Sequence, residues 1–131
     1  MVNTMTLSEN LEDYLEIILA LQIRNKVARS KDIASALDIQ RASVTGMLKK
    51  LAALNLINYE PYGFVTLTPK GETIAKEITS RHTVFRQFLI KYVGLDEDVA
   101  DDTACRLEHA VDNDTFSKFK KFIDGLDHQL S

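Results

Sequence analysis

Leu11, Tyr14, Leu15, Ile18 and Leu21 recur at intervals of three and four residues, the spacing of a helix with one buried face. Thr6 and Glu9 frame a Thr-x-x-Glu capping box before them, and together they predict a first helix from about Ser8 to Arg24. Ser30 is placed to cap a short second helix carrying Ile33, Ala34, Ala36 and Leu37. After Asp38-Ile39-Gln40, the stripe Val44, Met47, Leu48, Leu51 and Leu54 predicts a third helix, so a tight turn separates the pair. The period then shortens. Leu56 to Glu60 and Phe64 to Thr68 are β-prone runs around Pro61-Tyr62-Gly63, which supplies the turn chemistry of a hairpin tip.

Thr68-Pro69 restarts a helix through an N-cap followed by proline at its first position. Ile74, Ile78, Phe85, Leu89 and Tyr92 carry this longest helix toward Val93, with Gly94 as its terminator and Leu95 beyond. Asp96 is placed to cap a fifth helix with Val99, Leu107 and Val111 inward. Asp112 or Asn113 caps a sixth, striped by Phe116, Phe119, Phe122 and Ile123. Six helices and two short strands leave no room for a parallel sheet, so the class is mainly α with a two-stranded wing.

At 131 residues the chain holds one core or two small ones, not the scaffold of a large cofactor-dependent enzyme. The longest purely apolar run, Ile17 to Leu21, is far too short for a membrane span. With no basic-then-apolar opening of the signal-peptide kind, the expected location is the cytoplasm, with no membrane partner. A single cysteine, Cys105, suits a reducing compartment and rules out an intramolecular disulfide.

The net charge of −3 argues against nucleic acid until it is divided along the chain. From Leu21 to Gly71 eight Lys/Arg, including Arg29 and Lys31, face three acids, a net of +5. From Gly94 to Ser131 ten acids face four Lys/Arg, a net of −6. The basic stretch coincides with the helix, tight turn, helix and hairpin order of a winged helix-turn-helix, whose second helix enters the DNA major groove. With Val44, Leu48 and Leu51 inward, that helix turns Gln40, Arg41, Ser43, Thr45, Lys49 and Lys50 outward. Gln and Arg can pair with purine edges, hydroxyls with phosphates or bases, and lysines with the backbone. Ala42 and Gly46 permit close approach, and Tyr62 sits at the wing tip. A polar outer face alone is ordinary for an amphipathic helix; the element order and the charge distribution give it meaning.

A second constellation lies on the fifth helix. Cys105, Glu108 and His109 stand at i, i+3 and i+4 and share one face. Thiolate, carboxylate and imidazole together favour a borderline transition metal over Mg2+ or Ca2+. Each residue alone has an ordinary explanation, a cysteine as core and a Glu-His pair as surface. Asp13 and Glu16 repeat the i, i+3 spacing on the first helix, where acids also serve the helix dipole. His82 lies in the middle of the fourth. The joint pattern, using two of three histidines, is harder to attribute to such causes.

The succession Asp13-Tyr14-Leu15-Glu16, the helix-turn-helix and wing through Val65-Thr66-Leu67-Thr68-Pro69-Lys70-Gly71, then Arg81-His82 and Ala104-Cys105-Arg106-Leu107-Glu108-His109-Ala110 resembles the diphtheria toxin repressor and manganese transport regulator family. The resemblance spans nearly the whole chain. It implies an N-terminal winged helix-turn-helix DNA-binding domain, residues 1–71, and a C-terminal helical metal-binding and dimerisation domain, residues 72–131. It further implies a homodimer on palindromic operator DNA, repressing metal-homeostasis genes. The ligands it implies are Asp13, Glu16, His82, Cys105, Glu108 and His109, holding metal between the first helix and the fourth and fifth. No enzymatic activity and no organic cofactor are expected. Asp13 and Glu16 match the manganese branch, whereas Cys105 matches the iron branch, so Fe2+ is favoured and Mn2+ comes next. Arg86 falls where relatives often carry a glutamate, and Asp101 replaces a histidine of the iron-type ancillary site; both bear on whether a second ion binds. Two rival readings are a winged-helix regulator sensing a small organic ligand without metal, and an enzyme using Cys105 and His109 as nucleophile and base. The latter lacks an evident oxyanion-hole loop.

Overall fold

The computed structural model describes residues 9–60 and 63–130. Thr6 of the capping box and Pro61 and Tyr62 of the wing tip lie outside the described residues, so neither the cap nor the DNA role expected of Tyr62 is addressed by it. The elements run α1 (Glu9–Asn25), β1 (Ala28–Arg29), α2 (Ser30–Leu37), α3 (Arg41–Ala53), β2 (Ile57–Tyr59), β3 (Phe64–Leu67), α4 (Pro69–Phe88), a π-helical turn (Leu89–Val93), α5 (Glu97–Ala110) and α6 (Asn113–Leu130). Contacts divide the chain into two units, one up to Glu77 and the other from Ile78 onward. No helix among the described residues is long and apolar enough to cross a membrane.

The first unit is built on the stripes seen in the sequence. Leu15 and Ile18 of α1, Ile33 of α2, Val44, Leu48 and Leu51 of α3 and Val65 of β3 are all fully buried in one cluster. Burial at that level is worth about 1.5–3 kcal/mol for each large aliphatic side chain. Leu54 departs from expectation, being 42% exposed. It caps α3 rather than continuing it, and Asn55 turns left-handed directly after (φ 62°), so the stripe ends at Leu51.

The expected two-stranded wing is present, and a short third strand joins it. Ala28 and Arg29 pair antiparallel with Val65 and Phe64, giving the order β1-β3-β2, while β2 and β3 form the expected hairpin. This pairing corrects the assignment of Ser30 as a cap. Arg29, extended at φ −123° and ψ 147°, is the N-cap, and Ser30 becomes the first helical residue, its buried hydroxyl without a hydrogen-bond partner among the described residues. Gln22 Oε1 accepts a hydrogen bond from the Leu67 amide at 2.9 Å, fastening α1 to β3.

Thr68 caps α4 as its sequence position predicts: its hydroxyl accepts from the Gly71 amide (3.1 Å) and donates to the Asn55 carbonyl (2.8 Å). Gly71 is required there, because a Cβ would lie 1.9 Å from the carbonyl oxygen of Leu56.

In the second unit Phe85, Leu89, Ala100 and Ala104 form the buried core, flanked by Leu107, Val111 and Phe116. Phe85 meets Phe116 and Phe119 edge-on, with both centroid separations 5.6 Å. Val99, expected inward, is 51% exposed; the inner face of α5 is carried by Ala100, Ala104 and Glu108, one turn apart. Phe122, from the predicted aromatic stripe, is 62% exposed. The last turn before Gly94 is π-helical, and Gly94 closes it in the left-handed region (φ 83°). Asp96 precedes α5 but makes no side-chain cap, its carbonyl instead accepting from Ala100 (2.8 Å). Asp112 does cap α6: its carboxylate accepts from the Thr115 amide at 2.7 Å, a bond that holds the carboxyl below its usual range.

Candidate DNA interface and metal centre

The turn between α2 and α3 is three residues, Asp38 to Gln40, with Asp38 left-handed and its amide bonded back to α2. It holds α3 with Gln40, Arg41, Ala42, Ser43, Gly46, Lys49 and Lys50 exposed along one side. Thr45 is half-buried, and its hydroxyl donates to the Arg41 carbonyl at 3.2 Å. Nothing lies within 4 Å of a Cβ placed on Gly46, so this face is open. Lys31 and Arg29 are exposed as well. Arg29 is held on the sheet by Phe64, its guanidinium carbon 5.1 Å from the ring centroid, a cation–π contact that orients the charge. Sequence reasoning missed Phe64, since its partner is set by the β1–β3 register. A cleft of about 600 Å³ separates α1 from α3, flanked by Asp13 and Tyr14 on one side and Ser43, Met47 and Lys50 on the other. Asp13 and Glu16 are half-buried on α1.

In the second unit Glu108 has no exposed surface. An ionised carboxylate taken out of water is costly unless a cation or several donors compensate it. His82 Nδ1 lies 2.6 Å from Glu108 Oε1, and His109 Nε2 lies 3.8 Å from Glu108 Oε2. The His109 side chain is 3% exposed, and Cys105, one turn earlier on the same face, is half-buried and not in a disulfide. The predicted donors on α5 are therefore presented together, with His82 of α4 against them. The second imidazole nitrogen of His82 lies 2.8 Å from Asp101 Oδ1, and Arg86 Nε lies 3.4 Å from the same oxygen. A thiol, a carboxylate and an imidazole on one sheltered face suit a borderline transition metal in donor type.

Arg81 was singled out in the sequence only as part of a motif. It is 7% exposed, and its guanidinium donates to the carbonyls of Glu108 (3.1 Å) and Val111 (3.0 Å). These carbonyls end α5, where the helix dipole is negative. Arg81 thus anchors the turn that carries Glu108 and His109.

A winged helix-turn-helix followed by a helical unit with a sheltered carboxylate–imidazole cluster is the plan of a two-part transcription regulator. Residues 6–65 match the N-terminal DNA-binding domain of the iron-dependent repressors, and residues 68–130 match the metal-binding and dimerisation domain of the same proteins. The chain belongs to the iron-dependent repressor family of metal-dependent transcriptional regulators. It is 40% identical over 119 residues to an uncharacterized HTH-type transcriptional regulator of Methanocaldococcus jannaschii, covering 90% of this chain and 95% of that one. It is 37% identical over 114 residues to the transcriptional regulator MntR of Salmonella typhimurium, covering 87% and 72%. Among solved structures it resembles the manganese regulator SloR, with a TM-score of 0.77 at 29% identity, covering 90% of this chain but 55% of that one. The chain thus spans about half the length of that solved relative.

Proposed function

We propose that the chain is a cytoplasmic, metal-activated repressor that binds palindromic operator DNA as a homodimer and controls metal-homeostasis genes. The observation that carries this reading is the fully buried Glu108 carboxylate, set with Cys105 and His109 on one face of α5 and contacted by His82. Asp13 and Glu16 of α1 complete the proposed ligand set. A divalent ion supplies the positive charge that lets these anionic donors be satisfied together. Cys105 as a thiolate favours Fe2+, with Mn2+ next; the similarity to a manganese regulator supports keeping both. Gln40, Arg41, Ala42, Ser43, Thr45, Lys49 and Lys50 bind the operator, together with Arg29, Lys31 and Tyr62.

Because α1 belongs to the reading head's unit and α5 to the other, ligands drawn from both make DNA affinity respond to metal occupancy. In a dimer, half-sites separated by one turn of DNA, about 34 Å, require the two α3 helices at a fixed spacing. A coupling of about 1–3 kcal/mol gives a five- to 150-fold change in affinity. The test uses DNA selected from a random library on the Mn2+-loaded protein, with binding followed by fluorescence anisotropy. EDTA is expected to weaken binding at least about five-fold, and Fe2+ or Mn2+ to restore it. Equal affinity in chelated and loaded protein would refute the proposal.

A further inference from the structure

His82 is held at both ring nitrogens, with Nδ1 at 2.6 Å from Glu108 and Nε2 at 2.8 Å from Asp101. The inner contact faces the donor set on α5. The outer pair, an imidazole beside a carboxylate, is by donor type a place where a second cation would sit next to the first. That place already has a cation. Arg86, one helical turn after His82 on α4, lies with Nε 3.4 Å from the same Asp101 oxygen that His82 contacts, and its side chain is only 29% exposed. A guanidinium keeps its charge at all accessible pH values, and unlike a free ion it is covalently tethered, so dilution or chelation does not remove it.

We infer that Arg86 takes the place of a second metal ion, so that each chain binds one ion, held by the ligand set proposed above, while Asp101 is paired with Arg86. This rests on the metal-activated reading above. The tethered charge raises the cost of bringing a second divalent ion to Asp101 and His82. His82 is then a positioning residue, fixed between Asp101 and Glu108 and orienting the Glu108 carboxylate toward the ion.

The test counts ions. Protein equilibrated anaerobically with excess Mn2+, then freed of unbound metal, is analysed for metal per chain and for its electron paramagnetic resonance spectrum. The expected result is one ion per chain with the six-line pattern of isolated Mn2+. Arg86→Glu, which replaces the tethered cation by another carboxylate, is expected to hold two ions per chain and to show a broadened, exchange-coupled spectrum. Two ions in the wild-type protein would overturn the inference while leaving the metal-activated reading intact. No ion at all would overturn both. A correctly helical Arg86→Glu variant that still holds one ion would also overturn the role given to Arg86. Should that variant lose its helical circular dichroism, the wild-type count decides alone.

Discussion

Replacing Arg81 by methionine keeps much of the buried stem and removes the guanidinium. Two carbonyls at the end of α5, those of Glu108 and Val111, then lose donors at 3.1 and 3.0 Å. Hydrogen bonds from a charged donor contribute about 1.5–3 kcal/mol each. Since both come from one guanidinium they are not fully additive, and a loss of about 3 kcal/mol is the central expectation. With a urea dependence of about 2 kcal/mol/M, the unfolding midpoint should fall by about 1.5 M. Arg81→Lys should recover only part of this, because an ammonium cannot present the same planar fork. Metal affinity should fall as well, since the turn carrying Glu108 and His109 loses its anchor. The assay is urea unfolding by circular dichroism on metal-free protein, with Mn2+ titration alongside. A midpoint within about 0.2 M of wild type would show that Arg81 does not hold the end of α5.

Gly71→Ala forces a Cβ to within 1.9 Å of the Leu56 carbonyl oxygen; backbone must move, so a destabilisation of about 3 kcal/mol or more is expected in urea unfolding. Wild-type stability in that variant would contradict the close packing of wing and α4. Asp127 accepts hydrogen bonds from the Tyr92 hydroxyl and from Lys91, and these, the tyrosine bond first, hold its carboxyl below the usual range. Its contribution is therefore present at neutral pH and lost as pH falls below the ordinary carboxylate range and through the depressed value. Asp127→Asn should accordingly be less stable than wild type at neutral pH, the difference closing in acid, and a gap constant with pH would refute the assignment. Lys49→Ala and Lys50→Ala should each reduce the salt dependence of operator binding by about 0.9 in the log–log slope if the lysine neutralises one phosphate; an unchanged slope would take that residue off the interface.

Much of this architecture is legible in the sequence because it is local. Val44, Leu48 and Leu51 announce α3 by spacing, and Thr68-Pro69 announces the start of α4 by cap chemistry, with both outcomes present in the structure. What escapes notice depends on partners distant in sequence. β1 is two residues long and exists through its pairing with β3, 37 residues away at Ala28 and Val65, the difference of 65 and 28. That pairing also shifts the cap from Ser30 to Arg29 and places Phe64 beneath the Arg29 guanidinium. On α5 Leu107 and Val111 pack against the core as their apolar character suggests, but Val99 is exposed. Ala100, Ala104 and Glu108, spaced by four, were the available signal, but two small residues and an acid do not read as a core stripe. For Arg81 no local signal existed, as its acceptors lie 27 and 30 residues away. The candidate ligands were legible as residue types in a pattern. The contacts of His82 with Asp101 and Glu108 required the packing of α4 against α5.

Linkage supplies the most direct test of metal-controlled DNA binding, because coupling between two sites is reciprocal. Mn2+ affinity is measured twice by calorimetric titration, on the free protein and on the protein saturated with its selected operator. The account predicts that operator DNA tightens metal binding by the same factor, about five- to 150-fold, by which metal tightens operator binding. Identical metal affinity with and without DNA would contradict it.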